Sequence, residues 1–543
     1  MTRLLVGPLL RHVGTTDATV FVETDEPCDV EVLGCRESTW TVAGHHYALV
    51  EVTGLQPGTS NPYEVRLGGE VAWPPIDSSR PASRIRTQGP STDEKVRLAF
   101  GSCRYGRAAV KLADKHFDID SLVAYSRDLV AQPETDWPDA ILMLGDQVYA
   151  DETSEATQRR IKAKRDITKG SKDQVADFEE YTWLYLESWT DPDVRWLLST
   201  VPSSMIFDDH DVRDDWNTSH EWREDMKRTS WWEERIIGGL SSYWIYQHLG
   251  NLGPAELREN KLFQEVRASG RDNEPALREF AAHADAEADG AKGTRWSFRR
   301  DYGRVRLLMI DSRCGRILAD RQRSMIGEEE FDWIRSQADG RYDHLLIGTS
   351  LPWLLARSLH DIEAWDEVLA DGQRGARLAR FGEWLRRAGD LEHWASFRKS
   401  FEGLGELIAA VGRRDDGPAS ICVLSGDVHH AYVAEASFPE PVRSKVYQLT
   451  CSPIHNYVPL LMKLFFRVFW SRAAAVVVRG IMRVAAKTPR TKVDWDRLSG
   501  PHFGNELAEF IATGRRAETV LWKSAAPDDP ANLHEVARLQ LSA

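Results

Sequence analysis

Four short segments of the chain each combine an apolar run with side chains that bind metal ions. The segments are RLAFGSCR (97–104), AILMLGDQVY (140–149), SMIFDDHDVR (204–213) and ICVLSGDVHH (421–430). The candidate ligands that follow the runs are Cys103, Asp146, Tyr149, Asp209, His210, Asp427 and His429. An apolar run bounded by glycine or an acid is typical of a buried parallel strand. Because open α/β sheets bind ligands at the carboxyl ends of their strands, we expect these side chains to meet at one rim.

The types of these side chains indicate two unlike metal ions. Carboxylates suit hard cations, whereas a thiolate or a phenolate suits Fe(III) best among the biological choices. Cys, Tyr, His and Asp on one side, with mainly Asp on the other, predict two ions that share a bridging carboxylate. Two metals about 3.5–4 Å apart form a clamp for in-line displacement at phosphorus. For any single segment, the alternative is a strand-end Asp that caps the next helix.

The four motifs resemble, in order and spacing, those of the alkaline phosphatase D (PhoD-like) branch of the binuclear metallophosphoesterases. The Ser102–Cys103 pair stands where the superfamily usually has Asp-x-His. GDQVY resembles Gly-Asp-x-x-Tyr, FDDHD resembles Asp-Asp-His-Glu/Asp, and SGDVH replaces Gly-His-x-His. The resemblance covers about residues 95–455 and implies an α/β fold of the αββα sandwich type. It also implies Fe(3+) and Ca(2+) as cofactors, with a different second metal in the cell as the alternative, and hydrolysis of phosphomonoesters and phosphodiesters.

The resemblance further implies a role for each motif residue. Asp146 would bridge the metals, Cys103, Tyr149 and His429 would bind the iron, Asp209 and Asp427 would bind the second metal, and His210 would lie beside the leaving group. The superfamily supplies another His near IGTSLPW (347–353), where this chain has Thr349 and Ser350. One ligand is therefore unidentified. Asn217 is a candidate for it, and a plain turn residue is the alternative.

The expected reaction is attack of a metal-bound hydroxide on phosphorus, which requires no Ser or Cys nucleophile. His210 would protonate the departing alkoxide, a role that suits an imidazole. Arg104 and Arg213 are candidates for a phosphate clamp, with ordinary salt bridges as the alternative. The expected substrate is a small phosphate ester or a lipid or polymer phosphodiester. The alternative function is a metal-binding or interaction protein without hydrolytic activity on the same fold.

The chain divides near residue 90. Short alternating runs separated by turn signals predict a small fibronectin- or Ig-like β-sandwich over residues 1–90. His45 and His46 are neighbours on one strand, so they point to opposite faces, and we expect surface polar residues rather than ligands. From 91 to 543, strands alternate with helical stretches, which predicts the α/β catalytic domain. The Ala- and Asp-rich stretch 281–293 is expected to be a mobile insertion.

Composition agrees with a large enzyme of more than one domain. The chain has 543 residues, too many for one ordinary core. Its net charge of −14 argues against general nucleic-acid binding, which needs a basic surface. Six cysteines do not make a disulfide scaffold at this length. The start, MTRLLVGPLLRHVG, lacks a twin-arginine pair and a sustained apolar core, so we expect a cytoplasmic location.

A basic region near the C-terminus departs from the acidic balance of the chain. Residues 441–492 contain ten Lys or Arg and no Asp or Glu. Within 455–490, a helical projection places Arg472, Arg479, Arg483 and Lys487 on one face, opposite Ala and Val. No apolar run approaches the roughly 20 residues of a membrane span. Three interpretations stay open: a peripheral helix on an anionic membrane, a basic flap over the active site, and an ordinary packed helix.

Overall fold

The N-terminal part of the chain is a β-sandwich. The structure, a computed structural model, describes residues 2–89, 95–112, 115, 118–319, 322–372, 374–486, 491–526, 529 and 532–543. The N-terminal strands are β1 (Leu4–Val13), β2 (Asp17–Thr24), β3 (Asp29–Val32), β4 (Cys35–Ser38), β5 (Trp40–Val42), β6 (His45–Thr53), β7 (Ser60–Pro62), β8 (Val65–Leu67), β9 (Glu70–Trp73) and β10 (Arg84–Arg86). They form one sheet of order β1-β2-β6-β5, one of order β4-β3-β8-β9, and a β10-β7 ribbon. Val20, Val50 and Val65 lie in the core between the two sheets.

The rest of the chain alternates strands and helices. Its strands are β11 (Lys95–Gly101), β12 (Ala140–Leu144), β13 (Ser203–Ile206), β14 (Phe298–Tyr302), β15 (Val305–Met309), β16 (His344–Gly348), β17 (Ser420–Ser425), β18 (Ala431–Ser437), β19 (Lys445–Thr450), β20 (Asp494–His502), β21 (Glu506–Thr513), β22 (Arg516–Ser524) and β23 (Leu533–Ser542). Its α-helices are α1 (Ser121–Val130), α2 (Glu155–Lys164), α3 (Phe178–Trp189), α4 (Pro192–Thr200), α5 (His220–Lys227), α6 (Trp232–Tyr243), α7 (Leu249–Asn251), α8 (Pro254–Glu259), α9 (Lys261–Ala268), α10 (Glu274–Asp285), α11 (Glu328–Gln337), α12 (Arg357–Ala370), α13 (Ala376–Ala388), α14 (Arg398–Gly412), α15 (Leu460–Phe469) and α16 (Arg472–Ala486).

Two mixed sheets face each other at the centre of this region. Their strand orders are β13-β12-β11-β21-β22-β23 and β14-β15-β16-β17-β19-β18-β20. Leu142 on β12 and Leu346 on β16 belong to the core between the sheets. Helices cover the outer faces, with Trp196 of α4 in one outer core and Phe401 of α14 in the other. The fold is therefore the αββα sandwich that the motifs predicted.

The parallel strands bring distant segments to one rim. β11, β12 and β13 are parallel to one another, and so are β15, β16, β17 and β19. β12 and β17 are buried along their whole length, as expected for strands covered on both faces. Their carboxyl ends point to the same side of the sandwich, where the loops carry the candidate ligands.

The N-terminal sandwich packs against the α/β region through specific polar contacts. The buried Arg11 guanidinium donates to the carbonyls of Tyr246 and Gln247, at 2.7 Å each. His45 lies between Glu23 (3.0 Å) and Glu179 of α3 (2.8 Å). Burial alone would lower the pKa of His45, but the two carboxylates raise it to about 9. His45 thus links the two regions at their interface, where its side chain is 18% exposed, whereas the sequence predicted a surface residue.

The segment 281–293, predicted to be a mobile insertion, begins inside helix α10. Ala281 and Ala284 are buried in the core that this helix shares with α6. Asp285, at the end of α10, accepts a hydrogen bond of 2.6 Å from the buried Arg223. These contacts anchor the first half of the segment, and the mobility of the rest stays a prediction.

Among the helices of the described residues, none is long and apolar enough to cross a membrane.

Candidate metal centre

Tight turns at the strand ends present the predicted ligands. Cys103, Asp146, Asp427 and His429 have φ angles of 58°, 52°, 66° and 50°. Residues other than glycine rarely adopt this left-handed backbone conformation, and such strain concentrates at functional sites. Four strained residues on three neighbouring strand ends therefore indicate that the backbone here is shaped by the site.

Glycine precedes two of these residues because the turns approach other strands closely. A Cβ at Gly145, before Asp146, would lie 2.6 Å from Cβ of Asp208. A Cβ at Gly426, before Asp427, would lie 1.9 Å from Oγ of Ser102. The Gly-Asp pairs of the two motifs therefore have a steric cause, and they bring the ends of β12 and β17 against β13 and β11.

One half of the site combines a thiol, a phenol and an imidazole. The Tyr149 hydroxyl donates to Asp146 Oδ2 at 3.4 Å. The Asn456 amide lies 3.2 Å from the Tyr149 hydroxyl and 3.4 Å from His429 Nε2, so it joins these two side chains. Cys103 Sγ is 3.7 Å from the carbonyl of Asp427. The side chains predicted to bind the iron therefore lie close together, and their binding of a metal stays a prediction.

The other half is a cluster of buried carboxylates. Asp146, Asp208 and Asp209 each have an oxygen within 4.8 Å of the others. Asp146 Oδ1 and Asp208 Oδ2 accept no hydrogen bond from any described residue, and Asp209 Oδ1 lies 3.1 Å from the Arg313 guanidinium. Burial raises the pKa of all three carboxyls, and nearby carboxylates add to the effect. Buried acceptors without donors are costly unless a cation satisfies them, so this donor set fits a metal ion.

The protonation states also fit a metal centre. Burial, followed by the charge of Asp146, raises the pKa of both Cys103 and Tyr149 well above its ordinary value. A cation beside them would reverse these shifts, because coordination deprotonates a thiol. Burial lowers the pKa of His429 to about 4, so its ring is neutral at physiological pH, as a metal ligand must be.

His210 is oriented by a carboxylate on the next loop. Its Nδ1 lies 2.9 Å from Asp151 Oδ1, and its ring centroid lies 4.7 Å from that of Tyr149. Burial alone would lower the pKa of His210, but Asp151, Asp209 and Asp146 raise it well above the usual value. A protonated imidazole held at the edge of the metal site is placed to donate a proton.

The two arginines proposed as a phosphate clamp have other partners. Arg104 is buried and donates to Asp120 at 2.8 Å and to the Ser188 carbonyl at 2.7 Å. Arg213 lies over the Trp231 ring, with its guanidinium carbon 5.4 Å from the centroid. These contacts favour structural roles for both, and a clamp by either stays a prediction that its geometry does not support.

One metal ligand was unidentified in the sequence: Asn217 was the candidate, and Thr349 and Ser350 stand where the superfamily supplies a His. Asn217 is buried, and its amide donates to the carbonyl of Arg313 at 3.2 Å. Its Oδ1 lies 3.5 Å from Arg223. Ser350 donates to Asp208 at 3.0 Å, so it supports a carboxylate of the cluster. Metal binding by Asn217 stays a prediction, because its side chain is engaged with arginine and backbone groups.

Arg313, which follows strand β15, is a central residue of the site. The guanidinium is fully buried and contacts Asp208, Glu392 (2.5 Å) and Asp209 (3.1 Å). Its Nη2 also lies 3.9 Å from Asp427. Arg313 thus balances part of the negative charge of the carboxylate cluster.

His393 was missed because no strand or motif precedes it. Its Nε2 lies 2.9 Å from Asp427 Oδ2, and its Nδ1 lies 2.8 Å from Glu363 of α12. Burial alone would raise the pKa of Asp427, but the hydrogen bond and charge of His393, with Arg313, lower it to about 2. His393 therefore fixes the orientation of a predicted metal ligand.

The comparisons with known proteins agree with this geometry. A family model described as PhoD-like phosphatase matches residues 115–459, and a domain of unknown function (DUF7800) matches residues 1–85. A solved structure titled "Structure of PhoD" is similar in fold, with a TM-score of 0.58 at 12% identity, over 98% of this chain and 90% of that chain. No curated protein sequence gives a significant match. The PhoD-like phosphatase model matches more than half of this chain, so the chain belongs to the PhoD-like phosphatase family.

Proposed function

We propose that the protein is a metal-dependent phosphoesterase that hydrolyses phosphomonoesters, phosphodiesters or both. The observation that supports this most directly is the buried cluster of Asp146, Asp208 and Asp209, in which Asp146 Oδ1 and Asp208 Oδ2 accept no hydrogen bond from a described residue. Such a cluster beside a thiol and a phenol suits cations better than it suits a folded core. Membership of a phosphatase family supports the reaction class.

The donor set divides between two metals. Cys103, Tyr149, His429 and Asp146 would hold Fe(3+), since thiolate and phenolate ligands suit it. Asp146, Asp209 and Asp427 would hold a second ion, for which Ca(2+) fits the oxygen-rich side. When bound, such metals lower the pKa of coordinated water and neutralise charge on the phosphoryl oxygens.

The chain's own residues would then orient the site and move one proton. Asp151 fixes His210 through Nδ1, and Nε2, which has Asp214 Oδ1 3.8 Å away, is the atom for proton donation to the leaving-group oxygen. His393 and Arg313 hold Asp427 and Asp209 in place, and oriented partners of this kind support ligands. A proton from His210 matters most when the departing alkoxide is strongly basic.

The first test is hydrolysis by purified protein before and after metal removal. We expect turnover of bis-p-nitrophenyl phosphate, its loss on chelation, and its recovery with iron and calcium salts. We also expect a visible charge-transfer band that Tyr149→Phe weakens or shifts. Tyr105→Phe is the matched control, because Tyr105 stacks on Tyr149 at 3.9 Å but its hydroxyl binds Glu152. Tight iron binding without hydrolysis of any ester would instead support the non-hydrolytic alternative.

The role of His210 is tested by substrates with different leaving groups. We expect His210→Ala to slow hydrolysis of alkyl phosphate esters roughly 10²–10⁴-fold, since general-acid help is worth that much. Hydrolysis of p-nitrophenyl esters should fall far less, because p-nitrophenolate leaves without protonation. His283→Ala, an exposed histidine on α10, is the control. Equal losses on both substrate classes would show that His210 acts on metal binding or folding instead.

A further inference from the structure

Helices α15 and α16 expose an unusually apolar surface. On α15, six large side chains are between 36% and 79% exposed: Leu460, Leu461, Met462, Leu464, Phe465 and Val468. On α16, Val476, Val477 and Ile481 are 73%, 58% and 54% exposed. Single exposed apolar residues are common, but a group of nine on two consecutive helices is typical of an interaction surface. We call these nine side chains the hairpin surface.

The hairpin surface lies in the most basic part of the chain. Residues 441–492 hold ten Lys or Arg and no Asp or Glu, although the whole chain has a net charge of −14. Arg467 and Arg472 are exposed at the junction of the two helices. Apolar side chains flanked by cations are the pattern of a helix that lies on an anionic membrane.

The structure changes the helical face that the projection suggested. Arg479 turns toward the protein and pairs with Asp361 of α12 at 3.1 Å. Lys487 lies outside the described residues, as does the side chain of Arg483. Valine and isoleucine occupy the outward side of α16 instead, so apolar groups, with Arg472 beside them, face away from the protein.

The helices are attached next to the metal centre. The Trp470 indole donates to His430 Nε2 at 3.0 Å, and the Phe466 ring lies 4.3 Å from the His430 ring. His430 follows His429, and Asn456, which contacts Tyr149, precedes α15 by four residues. Phe466 and Trp470 are buried on the inward side of α15 and hold the helix against the protein. The six exposed apolar side chains of α15 therefore face solvent.

We propose that the hairpin surface docks the protein on an anionic lipid bilayer. The apolar side chains would enter the headgroup region while Arg467 and Arg472 contact lipid phosphates. An ordinary packed helix does not explain nine exposed large side chains. A flap would turn its apolar side toward the site rather than away from it. A second copy of the chain would bring two sets of like charges together, which is costly. The proposal goes beyond the proposed activity and does not depend on it.

Vesicle flotation with the full-length protein tests the docking. We expect the native protein to float with vesicles of phosphatidylglycerol and phosphatidylcholine, and to stay behind with phosphatidylcholine alone. Raising the salt should release it, since screening weakens attraction to the surface charge. The triple variant Leu461→Ser/Leu464→Ser/Val468→Ser should lower the partition constant by roughly tenfold or more for each side chain. The variant Arg467→Gln/Arg472→Gln should weaken binding and reduce its salt dependence.

A matched variant separates docking from general loss of apolar surface. Leu33→Ser/Val71→Ser/Ile76→Ser changes three exposed apolar residues of the N-terminal sandwich and should float like the native protein. All variants should hydrolyse bis-p-nitrophenyl phosphate at the native rate, so a failure of the proposed activity would show separately. The proposal is overturned if the native protein does not float at low salt, or if the variant Leu461→Ser/Leu464→Ser/Val468→Ser floats equally well. It is also overturned if sedimentation velocity without lipid shows a dimer that this triple variant abolishes.

Discussion

Replacement of Asp146 with Asn is expected to lower kcat/KM for bis-p-nitrophenyl phosphate by about 10³-fold or more. Asp146 is the carboxylate common to both halves of the site, 3.4 Å from the Tyr149 hydroxyl and within the Asp208–Asp209 cluster. Its loss would weaken both metal sites, and metal stabilisation of the transition state is worth several kcal/mol. Steady-state kinetics and metal content of the purified variant measure the effect.

The same variant should fold normally. Burial and neighbouring carboxylates raise the pKa of Asp146, so its charge is unfavourable in the metal-free protein. Metal-free Asp146→Asn is therefore expected to be at least as stable as the metal-free native protein, and thermal unfolding checks this. Asp225→Asn, an exposed acid on α5, is the control and should keep full activity. If Asp146→Asn kept native metal content and rate, the assignment of the bridging ligand would be wrong.

The edge of the sandwich at which the candidate ligands meet could be predicted from the sequence. Hydrophobic pattern and composition identify each buried strand locally, and the ligands follow those strands. Cys103, Asp146, Asp209 and Asp427 each follow a continuous apolar run, and such runs form buried parallel strands whose ends meet. The αββα fold and the family follow from the same motifs, and both predictions are confirmed. The last three strands were not predicted, although β21 pairs with β11 along almost its whole length.

Residues that reach the site from irregular segments could not be found in this way. His393 follows helix α13 in a loop, and Asn456 lies six residues beyond the end of β19. No local period marks either position, because their contacts with Asp427 and Tyr149 depend on how whole elements pack. Arg104 is the converse case. Its place beside Cys103 suggested a phosphate contact, but its side chain reaches Asp120 at the start of α1.

The orientation of an amphipathic helix is also a tertiary property. A helical projection places Arg472 and Arg479 on one side of α16 but does not say which side meets a neighbour. Asp361 on helix α12 forms an ion pair with Arg479, with 3.1 Å between Oδ2 and Nε, so Arg479 lies on the side of α16 that faces the protein. Val477 and Ile481 are then left outside, so the exposed surface is more apolar than the sequence suggested.

Loss of Arg313 is expected to cause the largest change in stability. Arg313→Met should lower the free energy of unfolding of the metal-free protein by about 3–5 kcal/mol, the usual effect of removing one partner of a buried ion pair. Asp208 and Asp209 would lose their shared cation at positions buried from solvent, whereas Glu392 would keep Arg316 at 3.4 Å. Urea denaturation followed by tryptophan fluorescence measures the loss.

Two further variants identify the cause of that loss. Arg127→Met removes a half-exposed pair with Asp193 and should cost less than about 1 kcal/mol, because solvent screens such pairs. Adding Asp208→Asn to Arg313→Met removes one of the two charges that lost their cation. The double variant should therefore be more stable than Arg313→Met alone, even though it lacks one more ionised group. Additive losses in this cycle would mean that Arg313 stabilises the fold by packing rather than by balancing charge. Non-additivity in the expected direction would show that the cluster carries excess negative charge when no metal is bound, which is the property that a cation-binding site requires.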